Sequence, residues 1–294
     1  MAASLFSSLC LAVLFLCVCQ TFGVNLRLDE PEERECHGTN VGFGYSGTLE
    51  LHYQHLKRRY AGCTYIIGNL EITNLVDPKI DYDLSFLRNI RYVSGAVLIG
   101  LITEVEEIPL VNLEVIRGNS TYFLQGDHYS LVVVLTSKGL DDNFGLKELQ
   151  MPQLKEISHG KVLLKSNPSL GYVDTVDWLP IMRGKEEDVH FMENACNFTV
   201  SNVTETPMCD HGTRWGQNPS MCQTVTYKEC SDECDGRCFG PAPNQCCHAS
   251  CAVGCSDKGE ENCFMCKDYL YDNYCVGFCP AKSYPKNQNC VKYE

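Results

Sequence analysis

The residues best equipped for chemistry are cysteines. From Cys230 to Cys290 they follow the spacing C-x3-C-x3-C-x7-C-C-x3-C-x3-C-x7-C-x2-C-x8-C-x3-C-x10-C, with hardly an apolar run between them. Such thiols either hold metal or pair with one another. Cys263-x2-Cys266 has zinc-ligand spacing, but the hydrophobic amino terminus points to an oxidising compartment, where clustered cysteines form disulfides. A segment so poor in aliphatic side chains buries too little surface to offset the entropy of ordering, so covalent cross-links must hold it. A rod of small disulfide modules is expected. A second constellation, Gly42-x-Gly44-x-x-Gly47, has the glycines of a dinucleotide fingerprint. That chemistry needs an apolar strand before the first glycine, and Cys36 and polar residues stand there instead. The eight histidines are scattered and no kinase loop or nucleophile-base pair is present, so no catalytic residue, metal or cofactor is expected.

The elements that must position these residues begin with an unbroken apolar run from Leu9 to Cys19, too short to span a bilayer and followed by Thr21-Phe22-Gly23. Residues 1–23 are read as a signal peptide, and the mature product is expected to be secreted and extracellular unless the sequence is an incomplete receptor. No cysteine lies between Cys63 and Cys196, and fifteen of the twenty crowd the carboxy-terminal third, from Cys196 on. Two domains are therefore expected, one able to build an ordinary apolar core and one not. The net charge of −13 argues against nucleic acid or an anionic membrane as partner, since both require a basic face. Asn119-Ser-Thr, Asn197-Phe-Thr and Asn202-Val-Thr are glycosylation sequons suited to an extracellular surface.

After the glycines, Ser46 is expected to cap a helix whose Leu49, Tyr53, Leu56 and Tyr60 share one face. Beyond Cys63 the period changes. Tyr65 to Ile67, Val97 to Leu101, Leu131 to Leu135 and Val162 to Leu164 read as short strands separated by turn residues. A phrase repeats among them: Leu87-x-x-Ile90, Leu113-x-x-Ile116 and Leu154-x-x-Ile157, followed by Gly95, Gly118 and Gly160. Self-similarity at a few tens of residues signals stacked coils whose Leu and Ile are core and whose glycines permit the corners. The expectation is a mostly β chain, a short parallel β-helix with inserted loops. Recognition then falls to side chains alternating outward along its strands.

Cys36-His-Gly-Thr, Gly68-Asn-Leu-Glu-Ile-Thr73, Tyr82-Asp-Leu-Ser-Phe-Leu87, Val115-Ile-Arg-Gly-Asn119 and Gly145-Leu-Lys-Glu-Leu149 through His159-Gly160 strongly resemble the first ligand-binding lobe of the epidermal growth factor receptor family, and the Cys230 to Cys279 spacing resembles its furin-like region. The resemblance covers nearly the whole mature chain; the insulin receptor family shares the architecture with weaker matches. It implies a right-handed β-helix, a receptor L-domain-like solenoid, over residues 24–195, a partial furin-like cysteine-rich rod over residues 196–294, and binding of ligands with an epidermal-growth-factor-like fold. The implied ligand face includes Phe43, Tyr45, Asn74, Leu101, Leu135 and Thr136, with Phe123 and Leu124 in a segment that is hard to align. In the family a ligand strand is added beside the lobe's sheet. Trp215 matches the tryptophan that plugs the first module into the lobe, a buried anchor.

The resemblance also implies disulfides joining Cys36 with Cys63, Cys230 with Cys238, Cys234 with Cys246, Cys247 with Cys255, Cys251 with Cys263, Cys266 with Cys275, and Cys279 with Cys290. Removing the signal peptide leaves seventeen cysteines, so one cannot pair within the chain. In the family the cysteine matching Cys196 bonds a position that here is Gly171, so the resemblance implies Cys209 with Cys222 as the remaining pair and Cys196 as the orphan, either an inert thiol or the link of a covalent dimer. Only ten residues separate Cys279 from Cys290, too few for the family's dimerisation arm. Three functions stay open: a secreted binding protein for an epidermal-growth-factor-like ligand or a full-length receptor of the family, an extracellular fragment of a receptor tyrosine kinase, and a structural or venom matrix component that keeps only the scaffold.

Overall fold

A twelve-residue helix, Leu49–Tyr60, opens the lobe and buries Tyr53, Leu56 and Tyr60. Its cap is Thr48, whose side chain accepts the Leu51 amide at 3.3 Å; the expected Ser46 lies two residues too early, because the glycine-rich turn runs on through Gly47. The computed structural model describes residues 33–138, 144–183, 186–192, 209, 212–224, 229–234, 237–286 and 288–293. The expectations for residues 1–23, Cys196, Asn197 and Asn202 lie outside the described residues.

After the helix the chain passes back and forth between two parallel sheets. The first pairs Glu35–His37, Tyr65–Ile67, Tyr92–Val93, Val115–Ile116 and Glu156–Ile157 in that order. The second pairs Leu70–Leu75, Val97–Ile102, Asp127–Val134, Lys161–Lys165 and Val189–Met192, with Tyr122–Leu124 folded back antiparallel on Asp127–Val134. In the second sheet the period of two sorts side chains by face. Leu70, Val97, Leu131 and Val162 share a row, as do Ile72, Ile99, Val133 and Leu164, and all eight are in the main core. Between these rows Leu98, Val132 and Leu163 point to the opposite face, where they cluster with Tyr129.

The pairing register corrects the repeated phrase. Tyr92 lies opposite Val115 and Val93 opposite Ile116, while Ile157 also lies opposite Ile116. The equivalent triplets are therefore Leu87-x-x-Ile90-x-x-Val93, Leu110-x-x-Leu113-x-x-Ile116 and Met151-x-x-Leu154-x-x-Ile157, all buried. The sequence reading set Leu87 against Leu113, three residues out of step. Gly95 and Gly118 do stack, through the Gly118 amide donating to Gly95 O at 3.0 Å. Gly118 has φ 67°, and a Cβ there would meet Ser130 Oγ at 2.3 Å and His159 O at 2.4 Å, so no larger residue fits.

Where the aliphatic residues run out, disulfides take over. The structure holds Cys36–Cys63, Cys209–Cys222, Cys230–Cys238, Cys234–Cys246, Cys247–Cys255, Cys251–Cys263, Cys266–Cys275 and Cys279–Cys290. Cys263 and Cys266 are thus both oxidised, and the described residues contain no group of His, Cys, Asp and Glu able to hold a metal ion. Among the described residues no helix is long and apolar enough to cross a membrane. The stretch closed by Cys279–Cys290 holds a small antiparallel hairpin, Ser283–Lys286 with Asn289–Lys292. The molecule is mostly β, with few helices and eight disulfides among the described residues.

Candidate functional site

Each long strand of the second sheet ends at a corner, and four of these corners form a column. Asn74, Leu101, Leu135 and Ser166 have φ of 59°, 52°, 58° and 57°. The register aligns them: Thr73 with Gly100, Gly100 with Val134 and Val134 with Lys165 each fall one residue earlier. A left-handed conformation costs an L-residue roughly 1–2 kcal/mol, and such strain gathers at sites where a side chain has to be aimed. Here it directs leucines out of the sheet: Leu135 is 48% exposed, and Leu101 and Asn74 are half-buried.

Phe43 lies against this corner. Its ring sits over the backbone of Gly100, where a Cβ would come within 2.8 Å of it, and it remains 41% exposed. Tyr45 packs on His52 of the helix with ring centroids 4.4 Å apart. The loop bearing both residues is fastened from below by Glu71. The Glu71 carboxylate accepts the Val41 amide at 2.8 Å, the Gly42 amide at 2.9 Å and the Tyr122 phenol at 2.6 Å. Burial pushes the Glu71 carboxyl up, but these bonds and the Thr39 side chain outweigh it and hold its pKa below the ordinary value of 4.5. Burial and the adjoining carboxylate drive the Tyr122 phenol far above its usual range, so it stays a donor. The glycine-rich segment is thus a turn held by a carboxylate, where a phosphate cradle would leave its amides free.

The face implied by the resemblance is only partly assembled. Phe43, Asn74, Leu101 and Leu135 share the corner, and Tyr45 is beside it against the helix. Thr136 does not reach the surface: it is fully buried, its hydroxyl donating to Asn167 Oδ1 at 2.9 Å, and Asn167 Nδ2 donates to Val133 O at 2.8 Å. One residue past the left-handed Leu135, the chain has already turned inward. Phe123 and Leu124 are at the tip of the hairpin, 65% and 38% exposed. Glu71 and Tyr122 were missed as functional residues. The available signal was Glu71 alone, a carboxylate flanked by the core residues Leu70 and Ile72.

The other sheet is covered by the cysteine-rich region. Tyr65 and Tyr92 stack at 4.6 Å, and Ala252, Val253 and Met265 pack on them. Arg117 pairs with Asp268 at 3.2 Å, and Arg237 with Glu156 at 3.0 Å. Trp215 is fully buried within the lobe's core, edge-on to Trp178 at 5.4 Å. Asn119 is exposed just past the Gly118 corner. The column of corners, with Leu135 and the neighbouring Phe43 exposed, is one outward apolar patch of the lobe among the described residues.

Residues 62–182 match the receptor L domain model and residues 191–294 the furin-like cysteine rich region. The epidermal growth factor receptor of Gallus gallus is 36% identical over 258 residues, covering 88% of this chain and 35% of the relative. The Drosophila melanogaster epidermal growth factor receptor is 32% identical over 249 residues (83% and 16%) and Mus musculus receptor tyrosine-protein kinase erbB-2 33% over 255 residues (84% and 20%). The chain spans about a third or less of the length of these curated relatives. Neither matched region is a kinase. It joins a receptor L domain to a furin-like cysteine-rich region and belongs to the epidermal growth factor receptor family.

Proposed function

We propose that this chain is a secreted, receptor-like binding protein that takes an epidermal-growth-factor-like protein ligand at the corner of Phe43, Asn74, Leu101 and Leu135, and so modulates receptor signalling. The carrying observation is the column of left-handed corners: backbone strain is spent there to present two leucines outward beside an exposed phenylalanine. Leu70–Leu75 is the last strand of its sheet, and the 39–45 loop runs along that edge, bridged to it at Thr39 and Asn69. A ligand strand pairing beside the loop would take main-chain affinity from it and selectivity from the flanking apolar side chains.

The lobe, taken by itself, offers an interface of about half of standard size, while the association entropy is lost in full. Roughly micromolar binding follows. Surface plasmon resonance of purified epidermal-growth-factor-like domains over the immobilised chain tests this. Micromolar binding that Leu101→Asp abolishes supports the proposal, and absence of binding across the panel refutes it. A second reading, the extracellular part of a longer receptor tyrosine kinase, is favoured by the small share of each relative that the chain covers. The three-prime end of the transcript separates the two.

A further inference from the structure

Loop 39–45 and hairpin 122–134 are far apart in sequence, yet both end on one carboxylate. Glu71 Oε2 takes the Val41 amide, and Glu71 Oε1 takes both the Gly42 amide and the Tyr122 hydroxyl. Each segment has ties of its own as well: Thr73 Oγ1 donates to Gly42 O at 3.3 Å and Tyr45 packs on His52, while Phe123 packs on His128 in the hairpin. Val41 is 53% exposed, Phe43 rests over a glycine, and the hairpin tip turns through Gln125 and Gly126 with φ of 53° and 94°. Glu71 is itself only 4% exposed and is the second residue of its strand, with Leu98 opposite. It has four good acceptor directions and uses them on groups that only an ionised, fully accepting carboxylate can satisfy together.

We infer that Glu71 is the positioning residue of the docking face, coupling the loop that carries Phe43 to the hairpin that carries Phe123 and Leu124, so that the hairpin tip forms a second wall of the same surface for a protein ligand. This rests on the docking-face reading above. A glutamine at 71 would turn an amide donor toward other donors, releasing at least one segment without changing the side chain's size. Tyr122→Phe removes one bond only and leaves the strand intact. Loss of either should loosen both segments, because the Glu71 carboxylate bonds to both, while the Thr39–Asn69 bridge and the pairing of Tyr122–Leu124 with Asp127–Val134 keep each attached to the sheet.

The test is hydrogen–deuterium exchange of wild type, Glu71→Gln and Tyr122→Phe, with strand Val97–Ile102 as the control for global stability. Faster exchange at 41–45 in Tyr122→Phe, with the control strand unchanged, is the expected result; unchanged exchange at 41–45 in that variant overturns the coupling. Association with the epidermal-growth-factor-like panel gives the second readout. If the competent arrangement falls to about a tenth of the population, the association rate falls roughly tenfold. Dissociation is unchanged, since the bound complex restores the contacts, whereas Phe43→Ala raises the dissociation rate. Equal kinetics in wild type and Glu71→Gln overturn the positioning role. If the wild type binds no member of the panel, the functional proposal fails, and the exchange experiment still decides the coupling.

Discussion

Arg237 and Glu156 meet through both Nε and an Nη of the guanidinium, at 3.2 and 3.0 Å, with both side chains almost entirely removed from water. Glu156 belongs to the lobe and Arg237 to the cysteine-rich region, and the same carboxylate accepts the Val253 amide at 2.8 Å. Removing one member of such a pair leaves the other buried and uncompensated. Glu156→Leu should lower stability by about 3–5 kcal/mol, whereas Glu156→Leu with Arg237→Met should recover much of the loss. Chemical denaturation with the disulfides intact measures both.

Acid should loosen the same contacts. Burial pushes Glu156 and Glu114 up, but Arg237 for the first, and Lys155 with Arg91 for the second, outweigh it and leave both pKa values below 4.5. A carboxyl depressed in the folded state contributes stability that is complete above its ordinary pKa and is lost as pH falls through the folded value. Thermal midpoints should therefore be flat above about pH 5 and fall progressively below it. A midpoint that rises on acidification would contradict this.

At the corners, stability and function should move in opposite directions. Leu135→Gly relieves a left-handed L-residue at the expense of a side chain that is 48% exposed. Stability should hold or rise by about 1 kcal/mol, the strain of that conformation, while ligand binding weakens. Thermal melts paired with binding measurements check the divergence.

Trp215 has the opposite character, since it is fully buried and packs on Trp178. Trp215→Ala should cost about 3–5 kcal/mol through the cavity it leaves. Limited proteolysis near Cys209 and Cys222 should accelerate, because the tryptophan is what seats that module in the lobe.

Strand positions and the core were legible from period and turn residues, since both depend on local pattern. Register was not. Leu87, Ile90 and Val93 recur every third residue, so the phrase matches itself at two offsets, and only inter-strand bonds choose between them. Thr136 was placed on the face by the resemblance, and its burial one residue past the left-handed Leu135 shows only in the structure. Corner residues were reached through the family resemblance, as nothing in a leucine's identity announces a positive φ. Glu71 escaped because its partners lie about thirty and about fifty residues away, and a lone acid in a strand does not say what it holds.

The most direct test of the docking face is a footprint. Hydrogen exchange of the chain with and without a bound epidermal-growth-factor-like domain should show protection at 41–45, at the corners of Asn74, Leu101 and Leu135, and at the 122–126 hairpin tip. The same protection should be absent from the Tyr65 and Tyr92 side, which the cysteine-rich region already covers. Protection confined to the cysteine-rich region, with the corners exchanging as in the free chain, would contradict the account.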